Sequence, residues 1–523
     1  MKTSWIIGIS GATFARVGLL LAIVMSVACA RFISPGHKSS ADTAADATHD
    51  ATHDATHDVL ADMAIETSED ATSDLLRPDV STDAGPADVV TDRPASSEGG
   101  FLDPSFNGTG FVTYDYVDND GTSKDDRATG VAVDSAGRIV VSVSGTYHFY
   151  AQDDQLDMAV VTLRLLADGS FDASYQSGLL SSPGVTVNTD SRWSHSMGLF
   201  LDDSDNVITC GYREWFGNDS PTLYRYLSAT GQPDATFGGA GVAYMNMTGE
   251  AQAKACAIDP TDGNYVMVGG RVDTDVLVAK VNSADGSPFV SFAGNGRLTY
   301  DITGSETANG VVVDTAGRIY VVGHVDSFSS TRDLAVWRYL GDGTLDNSFS
   351  SDGDGIFVYD GGDTDVGFAI ALTPDEKIVV VGSRMGTNDD MLALRIDHET
   401  GELDASFGVD GLFLYGSNVG GAVDQAKGLT IDVAGGIYIA GNTATASSES
   451  AMALWKLSAD GALDVSFGGM GESPCPGLFV TSTAAGSEAV GWDVALDHQG
   501  SIIVVGESRV PAGFWDATIW KIR

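Results

Sequence analysis

The 523 residues carry 72 acidic against 28 basic side chains, a formal charge of −44, and only four cysteines. A surface that negative repels nucleic acid and anionic headgroups and attracts cations or basic partners. Four cysteines without paired spacing exclude a disulfide framework and a zinc site. Gly is abundant, with 63 copies, and apolar residues come in short runs rich in Val, Ile, Tyr and Phe. That mixture suits many short strands joined by tight turns.

Lys2 and Arg16 precede an apolar run over 17–28, too short to span a bilayer and of the length of a signal-peptide core. The run ends Ser26-Val27-Ala28-Cys29, which resembles a bacterial lipobox. That resemblance implies lipidation of Cys29 and an outer-membrane or cell-surface destination, with the membrane touched only through the lipid. Cleavage after Ala30, which would secrete the chain, is the alternative. From 30 to 100 no apolar periodicity appears, and residues 41–100 hold fifteen acids against two bases. Such a composition cannot offset ordering entropy and reads as a disordered acidic tether. Its tetrapeptide repeat places His49, His53 and His57 four apart. They would form a metal-binding stripe if helical, but a slipped repeat in a solvated linker explains them more simply.

From Phe101 to Arg523 the chain repeats. One motif reads Leu345-Asp346-Asn347-Ser348-Phe349, and its closing aromatic recurs as Phe106, Tyr175, Phe237, Phe292, Phe407 and Phe467. A second is a hairpin, Gly310-Val311-Val312-Val313-Asp314 followed by a turn and Arg318-Ile319-Tyr320-Val321-Val322-Gly323, with copies beginning near Gly130, Gly198, Ala255, Ala369, Gly428 and Asp493. A third strand alternates, as in Leu334-Ala335-Val336-Trp337-Arg338-Tyr339. Each unit thus supplies four strands and cannot bury both faces alone, which predicts an all-β, seven-bladed propeller of four-stranded antiparallel blades. The domain begins with a lone fourth strand after Leu102 and ends after only three. The N-terminal strand is therefore expected to join the C-terminal three and close the ring, leaving no open sheet edge. A monomer suffices.

These units resemble the delta-60 repeat of exported bacterial proteins, most clearly around Phe349, Phe407 and Phe467, over essentially all of 101–523. The resemblance implies the propeller and export, and it transfers no catalytic residue.

Enzyme signatures such as His-Glu-x-x-His, Gly-x-Ser-x-Gly or a phosphate-binding Gly-Lys-Ser/Thr are absent from the sequence. Aligned on the hairpin, Asp126, Glu306, Asp365 and Asp424 share one position, with Glu250 and Glu488 one residue earlier and Ser194 breaking the series. If the first hairpin strand is innermost, these acids ring one mouth of the channel. They would there hold a cation or basic ligand, or pin blade to blade through backbone N–H groups. Asp118 and Asp120, like Asp352 and Asp354, offer calcium-type oxygen ligands beside a Gly turn, without the bidentate Glu of an EF-hand. No other cofactor is implied. Cys210 and Cys256 could bridge in an oxidising compartment or remain buried thiols. His148, His195, His324, His398 and His498 share no position and are expected at the surface or in hydrogen bonds. Trp193, Trp215, Phe216 and Trp515 lie outside the regular strand pattern, either gripping a ligand or wedging between blades. The expected function is a binding or scaffolding module for a protein, peptide or glycan. The alternative is an extracytoplasmic lyase or hydrolase built on channel-mouth carboxylates.

Overall fold

The computed structural model describes residues 100–115, 125–147, 157–176, 182–188, 193–215, 218–247, 249–271, 275–301, 304–326, 331–386, 388–417, 423–445, 450–468, 476–482, 487–511 and 513–523. The signal, Cys29, the tether with its histidines, Asp118, Asp120, His148, Phe216 and Cys475 lie outside the described residues.

Among the described residues there are 28 strands and no helix. They form seven four-stranded antiparallel blades: 126–187, 193–244, 251–300, 306–359, 364–415, 425–481, and 488–522 completed by Phe111–Tyr114. Blades 1 and 2 are further linked by a single parallel bridge, Met158 to Trp193. In blade 7 the N-terminal strand pairs with the last strand of the chain, Phe111 opposite Trp520 and Tyr114 opposite Ala517. The ring closes by the expected three-plus-one exchange. The first strand of every blade packs against the first strands of both neighbours, so it is the innermost one.

Seven apolar cores lie between the blades, one at each junction. Each contains one closing aromatic of the repeat, from Phe106 between blades 7 and 1 to Phe467 between blades 6 and 7. The Asp and Ser of the motif serve a different purpose. Asp346 accepts the backbone N–H of Ser348 at 3.1 Å and its hydroxyl at 2.7 Å, and takes Arg338 Nε at 2.8 Å on the other oxygen. The Arg338 guanidinium covers the Phe349 ring, 4.7 Å from its centroid, and donates to the His398 carbonyl of the next blade. Arg164, Arg225 and Arg395 repeat this clasp with Asp172, Asp234 and Asp404. In blade 3, where Phe289 replaces the motif Asp, Lys280 turns to Asp259 at 2.6 Å and Asp262 at 2.8 Å.

Cys210 of blade 2 and Cys256 of blade 3 are joined by a disulfide. Of the two states the sequence leaves open, the bridged one is observed.

Candidate functional site

Every innermost strand slips register once, at the same place. The bulged residues are Thr129, Met197, Lys254 and Asn309 in blades 1 to 4. Phe368, Lys427 and Trp492 follow in blades 5 to 7. A bulge re-aims a side chain and needs room beside it, which explains the small flanking residues. Gly323, the last residue of the Val-Val-Gly run, faces Ala308 across the bulge, where a Cβ would overlap the Thr307 carbonyl oxygen. Gly428 lets neighbouring innermost strands approach, since a Cβ there would stand 2.6 Å from Asp493 Cα.

All seven bulged side chains line one cavity of about 640 Å³ at the end of the channel where the innermost strands begin. Arg127, His195, Tyr212, Glu507 and Trp515 are also on its wall. The cavity wall gathers the cations Arg127, Lys254 and Lys427 with the carboxylates Asp125, Asp126 and Glu507, a balanced set in a chain of net charge −44. Lys427 is half-buried, its ammonium 4.0 Å from the Phe368 ring centroid and 5.3 Å from that of Trp492. Burial lowers its pKa to about 8; Arg127 acts in the same direction and Asp389 against it. Arg127 lies 4.6 Å over the same Trp492 ring and pairs with Glu507 at 2.9 Å, while Glu507 also accepts the indole N–H at 3.1 Å. Lys254 reaches Asn309 Oδ1 at 3.5 Å. Two cations thus share one indole face region with a single carboxylate between them, a cluster that an incoming anion would relieve.

His195 and Tyr212 are cross-strand neighbours in blade 2, their rings stacked at 4.4 Å and 18°. Burial depresses the histidine below its ordinary range, opposed by Asp219 and assisted by Arg127. Burial and Asp219 push the tyrosine up to about 12. His195 therefore belongs to the cavity wall and takes the hydrogen-bonded one of the two roles expected of it, with Ser144 Oγ 3.5 Å from its Nδ1. His324 is buried, His398 pairs with Glu399 at 3.0 Å and His498 is exposed.

The acids at the strand starts are placed differently from the cavity-lining side chains. Of the six, only Asp126 lines the cavity among the described residues. Asp126, Glu306, Asp365 and Asp424 are buried. Asp365 accepts the Gly361 N–H at 2.7 Å and Asp424 the Ser417 N–H at 2.6 Å. Glu488 pairs with Arg509 at 2.8 Å, and Glu250 is exposed. Asp352 accepts the Ser350 hydroxyl and Asp354 the Ile356 N–H at 2.9 Å. No group of His, Cys, Asp and Glu among the described residues is gathered closely enough to hold a metal ion. Trp515 lines the cavity, whereas Trp193 and Trp215 fall inside strands of blade 2, contrary to their expected place outside the strand pattern. Sequence reasoning missed the bulged residues because it followed what repeats. Their signal is a column that does not repeat: one position before the small hairpin residue, Thr, Met, Lys, Asn, Phe, Lys and Trp take turns.

A family model described as a domain of unknown function, DUF5122 β-propeller, matches residues 317–349 and 435–467. No curated protein matches the chain. Among solved structures, a protein of unknown function from Dyadobacter fermentans is 11% identical, with a TM-score of 0.40 over 79% of this chain and all of that one. An ulvan lyase of polysaccharide lyase family 25 is 10% identical, with a TM-score of 0.42 over 78% of this chain and 95% of that one. Polysaccharide lyase Uly1 is 12% identical, with a TM-score of 0.32 over 68% and 93%. At these values the likeness carries no functional argument. The matched stretches lie in blades 4 and 6 and are of the delta-60 type of repeat expected from the sequence, and the fold around them is a seven-bladed β-propeller.

Proposed function

We propose that the channel mouth binds an acidic carbohydrate and that the propeller is an extracytoplasmic binding module for it. The carrying observation is the convergence of Arg127, Lys254 and Lys427 with Phe368, Trp492 and Trp515 in one cavity of a chain whose net charge is −44. Aromatic faces stack on sugar rings, and cations in a partly desolvated pocket recognise a carboxylate or sulfate. The surrounding negative charge opposes a long polyanion, with a screening length of about 8 Å at physiological salt. A short oligosaccharide or a chain end, with one acid group in the cavity, fits best.

Titration of tryptophan fluorescence with acidic and neutral oligosaccharides tests this reading. Acidic ones should bind, and Arg127→Met or Lys427→Met should weaken them about tenfold or more, as loss of a charge-assisted contact does. Equal binding of a neutral glucan, or no binding of any acidic oligosaccharide, overturns it. The lipobox-like end of the signal supports display at the cell envelope; Cys29→Ser should then release the protein from membranes, and unchanged detergent partitioning would count against anchoring.

A further inference from the structure

His195 and Tyr212 are left over from the binding reading. A neutral imidazole and a protonated phenol, stacked on one wall and shifted in opposite directions by their surroundings, form an acid–base pair. The base stands within electrostatic reach of Arg127, which also faces Trp492 and Lys427. Ser144 Oγ lies 3.5 Å from His195 Nδ1, which leaves Nε2 for a substrate. No metal-binding cluster accompanies the pair among the described residues. Of the reactions open to an acidic sugar, the one that needs only a base, an acid and a cation on the carboxylate is elimination.

Resting on the acidic-carbohydrate reading, we propose that this cavity cleaves its ligand by β-elimination at a uronic acid. Arg127, assisted by Lys427, neutralises the carboxylate and acidifies the adjacent C5–H. His195 Nε2 takes that proton, the freed electron pair forms the C4–C5 double bond, and the C4–O bond breaks. Tyr212 Oη protonates the departing oxygen. Proton exchange through solvent from the imidazolium to the phenolate resets the pair, so no water, oxidant or metal is consumed. Both groups stand on one wall, so the departing oxygen and the abstracted hydrogen lie on the same face of the sugar. Glucuronate and mannuronate have that relation. Galacturonate, guluronate and iduronate place the two on opposite faces.

The test uses the full chain with chondroitin, mannuronate, guluronate and galacturonate oligosaccharides, following ultraviolet absorbance of the unsaturated uronate and, separately, binding by fluorescence. Product is expected from the chondroitin and mannuronate substrates. His195→Gln and Tyr212→Phe should each lower kcat by about 100-fold or more, with unchanged thermal midpoint and binding within a few-fold. The wild-type rate should rise with pH through a histidine limb below the ordinary range, where burial and Arg127 hold the ring against the pull of Asp219, and that limb should vanish in His195→Gln. Binding without product overturns the elimination and leaves the binding reading standing. Product from guluronate or galacturonate alone overturns the one-wall assignment of base and acid. An absence of binding to every acidic oligosaccharide removes the binding reading and this one together.

Discussion

The Asp–Arg clasp is the smallest unit that explains why the repeat reads as it does. Burial works to raise the Asp346 carboxyl, but the Ser348 hydroxyl and N–H and the Arg338 guanidinium outweigh it and hold the group below the usual carboxylate range. Arg338 is almost fully buried and Asp346 largely so. Arg338→Met strands a buried carboxylate and should cost about 3 kcal/mol in denaturant unfolding; a loss below about 1 kcal/mol would assign the motif Asp to the Ser turn alone. From the sequence, the aromatic of this motif was legible as core because its spacing is regular. The partner of the Asp was not, since Arg338 sits in another strand, eight residues earlier, in a position read only as alternation. The cavity residues were harder still: Lys427 or Trp492 in isolation looks like any polar or aromatic residue in a strand, and only the bulge turns it toward the axis.

Strands carry the next level of meaning. Because Gly323 lies against the bulge backbone, Gly323→Ala should force the bulge to shift, destabilising blade 4 by about 1–3 kcal/mol and displacing Asn309 from the cavity. A drop in ligand affinity at unchanged Arg127 and Lys427 would report that displacement. The disulfide acts between elements, closing a 46-residue separation across blades 2 and 3. On the chain-entropy account, replacing both cysteines by alanine should cost about 4 kcal/mol, and an unaltered melting temperature would show that the inter-blade core suffices. The sequence could not decide between a bridge and two thiols, because the pair lies in different units and proximity depends on how blades stack.

At the scale of the whole molecule, ring closure was the most legible feature, since an orphan strand at one end and a missing one at the other leave a single tidy solution. A chain lacking residues 1–122 loses Phe111–Tyr114 and the buried Phe106. Truncating such an aromatic alone costs about 3–5 kcal/mol. That chain should aggregate, whereas one starting at Gly99 should unfold cooperatively; identical behaviour would sink the closure as a source of stability. The carboxylates also set an unusual pH dependence. Clasp acids such as Asp346 and Asp404 are depressed, so their stabilisation is present above about pH 4 and lost below it. Burial raises Asp365 to about 7, Asp493 to about 6 and Asp333 to about 6. A carboxyl raised by folding binds more protons in the native state, so its stabilisation is lost as pH rises from about 4 through those values. Calorimetry should therefore find the highest melting temperature near pH 4 to 5, with a fall toward pH 8 that Asp365→Asn reduces.

The seven bulges separate two jobs that usually compete for the same side chains. Residues on either side of each bulge are Gly, Ala or Ser except Asp493, which accepts the Val131 N–H of blade 1 at 2.9 Å, while the bulged residues face the cavity and one another, Asn309 also donating to the Gly367 carbonyl of blade 5 at 2.9 Å. A substitution there alters what the channel recognises without disturbing any inter-blade core. Thr129, Met197, Lys254, Asn309, Phe368, Lys427 and Trp492 therefore read as a seven-letter address, one letter per blade. Another chain built from the same repeat could carry a different address on an interchangeable frame, and exchanging those seven letters should move ligand preference from one propeller to the other.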